Sequence, residues 1–93
     1  MEVADQIIKR RRQILVHSII YYRMGANLID DYTWSQWAVE LRDLQNKFPK
    51  IAERLPWGKE FKDFDGSTGM DLPLGDPWAQ NKARQLMLWS KRW

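Results

Sequence analysis

The densest group of chemistry-bearing residues is the run Lys62-Asp63-Phe64-Asp65-Gly66-Ser67-Thr68-Gly69. A lysine that takes up a nucleotide covalently is separated from an Asp-Gly pair by a single residue. Here Asp63 and Phe64 both intervene between Lys62 and Asp65-Gly66, so the spacing does not match that chemistry. The Gly-Ser-Thr-Gly that follows could cradle a phosphate through backbone N–H groups; unsupported by any second motif, it reads as a glycine-rich turn. His17 has no serine or acid motif beside it that would make it a general base, and it reads as a structural histidine. The carboxylates Asp30, Asp31, Asp63, Asp65, Asp71 and Asp76 would have to converge to hold a divalent cation, and their spacing matches no known binding loop. With one histidine and no cysteine, neither a histidine-based nor a thiolate metal site can be assembled. The expectation is therefore no catalytic residue and no metal.

Two basic clusters point to another kind of chemistry. Lys9, Arg10, Arg11 and Arg12 form the first, and Lys82, Arg84, Lys91 and Arg92 the second. Either could neutralise phosphates, and Trp57, Trp78, Trp89 and Trp93 could stack on bases, although most of these aromatics are more simply explained as core. Four consecutive cations sweep more than a helical turn, so they cannot all face solvent. Arg11, one turn from both Ile7 and Leu15, falls near the apolar stripe and could lay its stem over the edge or meet a carboxylate.

The elements that must position these residues are helical. Val3, Ile7, Ile8, Ile14, Leu15 and Tyr22 recur at helical spacing and predict a helix from about 3 to 23, with Gly25 and Asn27 suited to end it. Asp30 and Asp31 can cap a second helix, whose stripe is Trp34, Trp37, Ala38, Leu41, Leu44 and Phe48, closed by Pro49. A short loop joins the two, which predicts an antiparallel helical hairpin. One or two further turns fit at 50–55, before Pro56. The stretch 57–74 shows no period and reads as an irregular segment pinned by Trp57, Phe61 and Phe64. Asp76-Pro77 is a helix start. The final helix would place Trp78, Leu86, Trp89 and Trp93 on one face, with Ala79, Ala83 and Met87 beside it. The predicted fold class is all-α, a single domain over 1–93 with a core of about 3–55, an irregular segment at 56–75 and a C-terminal helix at 76–92.

Ninety-three residues lie near the lower limit for a self-sufficient core. Six tryptophans, each able to bury roughly 150–250 Å², could supply what length does not, or serve as interface anchors. The net charge of +3 favours acidic partners mildly. The N-terminal charge order is not that of a signal peptide, and no apolar run is long enough to span a bilayer, so a cytoplasmic location is expected.

The run Tyr21-Tyr22, a loop, Asp31, Trp34-Ser35, Trp37, Glu40-Leu41, Leu44 and Pro49 resembles, without a gap, the N-terminal helical domain of bacterial NAD-dependent DNA ligases. That module grips the nicotinamide mononucleotide (NMN) half of NAD. The likeness covers about a third of the chain well. It implies that Tyr21 and Asp31 contact the nicotinamide nucleotide and that Trp34 stacks on the ring. Tyr22 stands where the family has histidine, and Ser35 where it has aspartate. The adenylation, OB-fold and later domains of a ligase are absent from these 93 residues, so the chain alone is not expected to ligate DNA. Small free-standing proteins of this look are usually phage-encoded and called ligase-related.

The functional expectation is a non-catalytic binding module for NMN or the nicotinamide end of NAD, working in a bacterial host cell without a required cofactor. Its ligand residues would be Tyr21, Tyr22, Asp31, Trp34 and Ser35. A second reading is a phage-encoded interaction protein that inhibits or modulates a host defence protein through exposed Trp57, Trp89 and Trp93. A third is a nucleic-acid-binding accessory protein using the two basic clusters, including Lys9, Arg10, Arg11, Arg12 and Arg92, provided that the clusters share a surface.

Overall fold

The computed structural model describes residues 2–90, which form four helices: α1 (Val3–Met24), α2 (Asp31–Lys47), α3 (Pro49–Arg54) and α4 (Pro77–Ser90). Among the described residues there is no strand, and the fold is all-α. No helix among them is long and apolar enough to cross a membrane.

The chain turns where its sequence punctuates it. Gly25 ends α1 in the left-handed conformation (φ 63°), which costs a residue without Cβ little, and the Ala26 N–H reaches back to the Ile20 carbonyl at 3.1 Å. The next helix, α2, starts from Asp30, whose carboxylate accepts the Thr33 N–H at 2.7 Å. Phe48 still donates to Leu44, but Pro49 has no N–H to continue the ladder and instead opens α3. α1 and α2 pack antiparallel, as contacts from Arg11 to Gln45 and from His17 to Trp37 show.

Ile7, Ile14, Leu15, Ile19 and Ile20 of α1 are buried against Ala38 and Leu41 of α2, Ala52 of α3, and Ala79 and Ala83 of α4. Trp34, Trp37 and Leu44 close the edges. The irregular stretch between α3 and α4 runs through successive turns and sends Phe61, Leu72 and Leu74 into the same core. Phe61 stacks edge-on against Phe64 with centroids 5.4 Å apart. Gly58 allows this path: a Cβ there would lie 2.4 Å from the Glu53 carbonyl oxygen.

Two features depart from the sequence expectation. Arg11 is not at the edge of the stripe but inside it, 1% exposed. Its Nε–H donates to Gln45 Oε1 at 2.9 Å, and its two terminal nitrogens donate to the carbonyls of Pro56 at 2.9 Å and Ala52 at 2.8 Å. The guanidinium thus satisfies backbone acceptors at and beyond the end of α3, where helix carbonyls lack intrahelical partners. Among the described residues it pairs with no carboxylate, and burial pulls its pKa down, with the charge of Glu60 opposing the shift.

The orientation of α4 also differs. Its inner face is Ala79 and Ala83 with Met87, while Trp78 (38% exposed), Leu86 and Trp89 (58%) lie outward. Small side chains let α4 approach α1 closely, whereas a face of indoles would hold the two apart. Asp76 starts this helix, accepting the Ala79 N–H at 2.9 Å.

Candidate functional site

The C-terminal end of α1, the 25–30 loop and the first turns of α2 border a cleft of about 240 Å³. Its position follows from the hairpin: the polypeptide must leave α1 and re-enter α2, and the connecting loop cannot fill the wedge between two diverging helix ends. Tyr21, Tyr22, Asp31, Trp34 and Ser35 all line it. These are the five residues that the sequence assigned to a ligand, drawn from two helices and separated by the loop.

Each wall has its own chemistry. Tyr21 and Tyr22 meet edge to face, with centroids 4.9 Å apart, on the α1 side. The Tyr22 hydroxyl lies 2.9 Å from Thr68 Oγ1, tying α1 to the Ser67-Thr68 turn that forms the far wall. Trp34 is half-buried, with Phe64 packed edge-on behind it at 6.5 Å. Asp30 and Asp31 supply negative charge at the rim, and hydrogen bonds from the Thr33 side chain and backbone hold the Asp30 carboxyl below its ordinary range. Among the described residues, no lysine or arginine lines the cleft.

At the base, two polar atoms have no partner among the described residues. His17 Nδ1 and Ser18 Oγ are buried without a hydrogen bond, and both residues line the cleft. Unpaired buried polar groups are uncommon because each costs about 1–3 kcal/mol. Burial lowers the His17 pKa, so the ring is neutral near pH 7. His17 and Ser18 are adjacent on a helix and project about 100° apart, which is unsuited to a nucleophile–base pair.

The Gly-Ser-Thr-Gly segment contributes in an unexpected way. Asp65 caps it, Oδ1 accepting both the Ser67 N–H and the Ser67 Oγ–H, and just beyond it the Met70 N–H donates to Thr68 Oγ1. The bonds from the Ser67 side chain and backbone keep the Asp65 carboxyl below its ordinary pKa. The segment is a turn capped by Asp65, and Ser67 and Thr68 form a cleft wall. Sequence reasoning missed Ser67 and Thr68 as lining residues, along with His17, Ser18 and Asp30. The last three sit within a turn of expected lining residues, so helical spacing could have found them.

The other expected residues scatter. Arg10 pairs with Glu40 across the hairpin and lies over Trp37. Arg11 is buried, as described, and drops out of any surface. Its side chain borders a second hollow of about 580 Å³ with Lys59 and Lys62, but its donors are spent on Gln45 and backbone carbonyls. Lys9 and Arg12 are exposed. Trp57 is half-buried, has a left-handed backbone (φ 62°) and packs against Trp78 at 5.5 Å, so it is not the free anchor expected. Arg92 and Trp93 lie outside the described residues. Among the described residues, no three of His, Asp and Glu converge to hold a metal ion.

No protein-family model, curated protein sequence or solved structure matches this chain.

Proposed function

We propose that the cleft binds the nicotinamide end of a nicotinamide nucleotide, either NMN or that half of NAD, and that the protein acts as a binding module rather than as an enzyme. The observation that carries this reading is the convergence of Tyr21, Tyr22, Asp31, Trp34 and Ser35 on one cleft. The chemistry of the walls agrees with it. An oxidised nicotinamide ring is a planar cation, which aromatic faces attract through their quadrupole and carboxylates at the rim attract by charge. The ring's carboxamide brings both a donor and an acceptor for the unpartnered Ser18 Oγ and the neutral His17 at the base.

Size and charge limit what enters. Drug-sized ligands occupy roughly 300–1,000 Å³, so a cleft of about 240 Å³ suits a ring and its ribose and leaves the rest of a dinucleotide outside. Without a lysine or arginine in the lining, phosphate adds little affinity. Binding therefore rests on the ring and sugar, and NMN and NAD should bind with similar strength.

The test is calorimetric titration with NMN, NAD and nicotinic acid mononucleotide, whose ring carries a carboxylate in place of the amide. The reading expects saturable binding of the first two, weaker binding of the third beside Asp30 and Asp31, and loss of binding in Asp31→Ala. No heat from millimolar NMN would reject it.

A further inference from the structure

The two basic clusters of the sequence meet at one indole. Arg12 of α1 and Lys82 of α4 both lie over Trp78, with the Arg12 Cζ 5.2 Å and the Lys82 Nζ 5.8 Å from its centroid. Neither makes an ion pair: the ion pairs among the described residues are Arg10–Glu40 and Arg42–Asp43. The two carry like charge on one ring, and among the described residues neither has a carboxylate partner to offset it. The nearest acid in sequence, Asp76, is occupied by the Ala79 N–H and faces the Trp57 indole N–H at 3.5 Å.

The surroundings extend this local excess. Between Pro77 and Ser90, α4 carries no acidic residue. Lys9, three residues before Arg12, stands beside it on the same side of α1 and is exposed and unpaired among the described residues. On α4, Trp78, Lys82, Gln85 and Trp89 recur at three- and four-residue steps and all are exposed. That stripe alternates aromatic, cation, amide and aromatic. Seven of the twelve acids lie at the cleft rim and along 53–71, while Asp5 stands one turn before Lys9 on α1.

From this we infer that the α1–α4 face built on Lys9, Arg12, Trp78 and Lys82 binds single-stranded nucleic acid. Three cations on two helices track a phosphate backbone, and the stripe's indoles offer stacking surface to unpaired bases. An acidic protein would use the cations and leave the aromatics without purpose. A duplex would hide the base faces that the aromatics suit. The face is separate from the cleft and independent of the nicotinamide reading, since no residue is shared between them.

The experiment is fluorescence anisotropy of the full chain with a labelled 20-nucleotide single strand, repeated with a duplex and with poly-glutamate as competitor, at several salt concentrations. Three neutralised phosphates give a slope of about −2 in log K against log salt, a loss of about 20-fold in affinity from 50 to 200 mM. Arg12→Ala/Lys82→Ala should flatten that slope by about 1.4 while its circular dichroism and melting stay those of the parent. Lys59→Ala/Lys62→Ala, in the 53–71 segment, should leave the slope unchanged. Absence of binding at 50 mM salt would overturn the inference. So would a parental slope in the Arg12/Lys82 variant, equal affinity for duplex, or competition by poly-glutamate as effective as by unlabelled strand.

Discussion

Gly69 and Ser18 provide a quantitative test of the cleft wall. A Cβ placed on Gly69 would lie 2.1 Å from Ser18 Oγ, 2.9 Å from Ser18 Cβ and 3.4 Å from Trp34 Cζ2. Rotating the Ser18 side chain would move Oγ but not Cβ, so a rotamer change alone cannot relieve the contact. Either the 67–70 turn or α1 must shift, and overpacking of this kind costs about 1–3 kcal/mol. The same shift would pull on the bond between Tyr22 and Thr68, which spans the cleft mouth. Ser18→Gly removes both clashing atoms, at about 1 kcal/mol for a glycine inside a helix. Gly69→Ala should therefore be destabilising in the parent and nearly silent in Ser18→Gly. Urea denaturation of the four proteins, followed by circular dichroism, measures this as a coupling energy of about 1–3 kcal/mol. A Gly69→Ala variant within about 0.5 kcal/mol of the parent, with costs that simply add in the double variant, would refute this packing.

Two further outcomes follow from buried groups. Arg11→Met keeps an apolar stem but takes the donor from the Pro56 carbonyl and Gln45 Oε1 and leaves the Ala52 carbonyl with only the Leu55 N–H at 3.4 Å, an unsatisfied buried polar group costing about 1–3 kcal/mol. With the guanidinium's own desolvation recovered, a net loss of about 2–4 kcal/mol is expected, against a total of about 5–14 kcal/mol for a chain this long; a denaturation midpoint equal to the parent's would contradict it. His17 titrates below its ordinary pKa because burial disfavours its cation. The unfolded chain therefore binds the proton more readily, and stability should be full above about pH 6.5 and decline as pH falls below it. Thermal melts from pH 7.5 to 5 should show this slope in the parent and a flatter one in His17→Phe; parallel slopes would dismiss His17 as the source.

The hairpin was legible because its signals are local. Gly25, Asp30 and the Asp76-Pro77 pair act on their own backbone within a turn, and the stripes on α1 and α2 repeat at one period. The cleft lining was named through the family resemblance, and hairpin geometry agrees with it, since Tyr21–Tyr22 and Asp31–Ser35 flank a short connection that it must bring together. What sequence hid was long-range. Arg11 resembles a surface cation until the carbonyls of Ala52 and Pro56, some forty residues away, surround it. Leu72 and Leu74 lie in a stretch without period, so nothing local marks them as core. On α4, hydrophobicity favours the indole face, yet close helix approach selects Ala79 and Ala83. Ser67 and Thr68 join the cleft only because Gly69 can pass against Ser18, a contact across some fifty residues.

The central claim, a nicotinamide-binding cleft at the hairpin mouth, is tested most directly by titrating NMN into isotope-labelled protein and following amide and indole NMR shifts. The account predicts saturable changes at Ser18, Tyr22, Asp31, Ser67 and the Trp34 indole, with α4 unmoved. Shifts confined to the Trp78–Lys82 surface, or none at millimolar NMN, would contradict it.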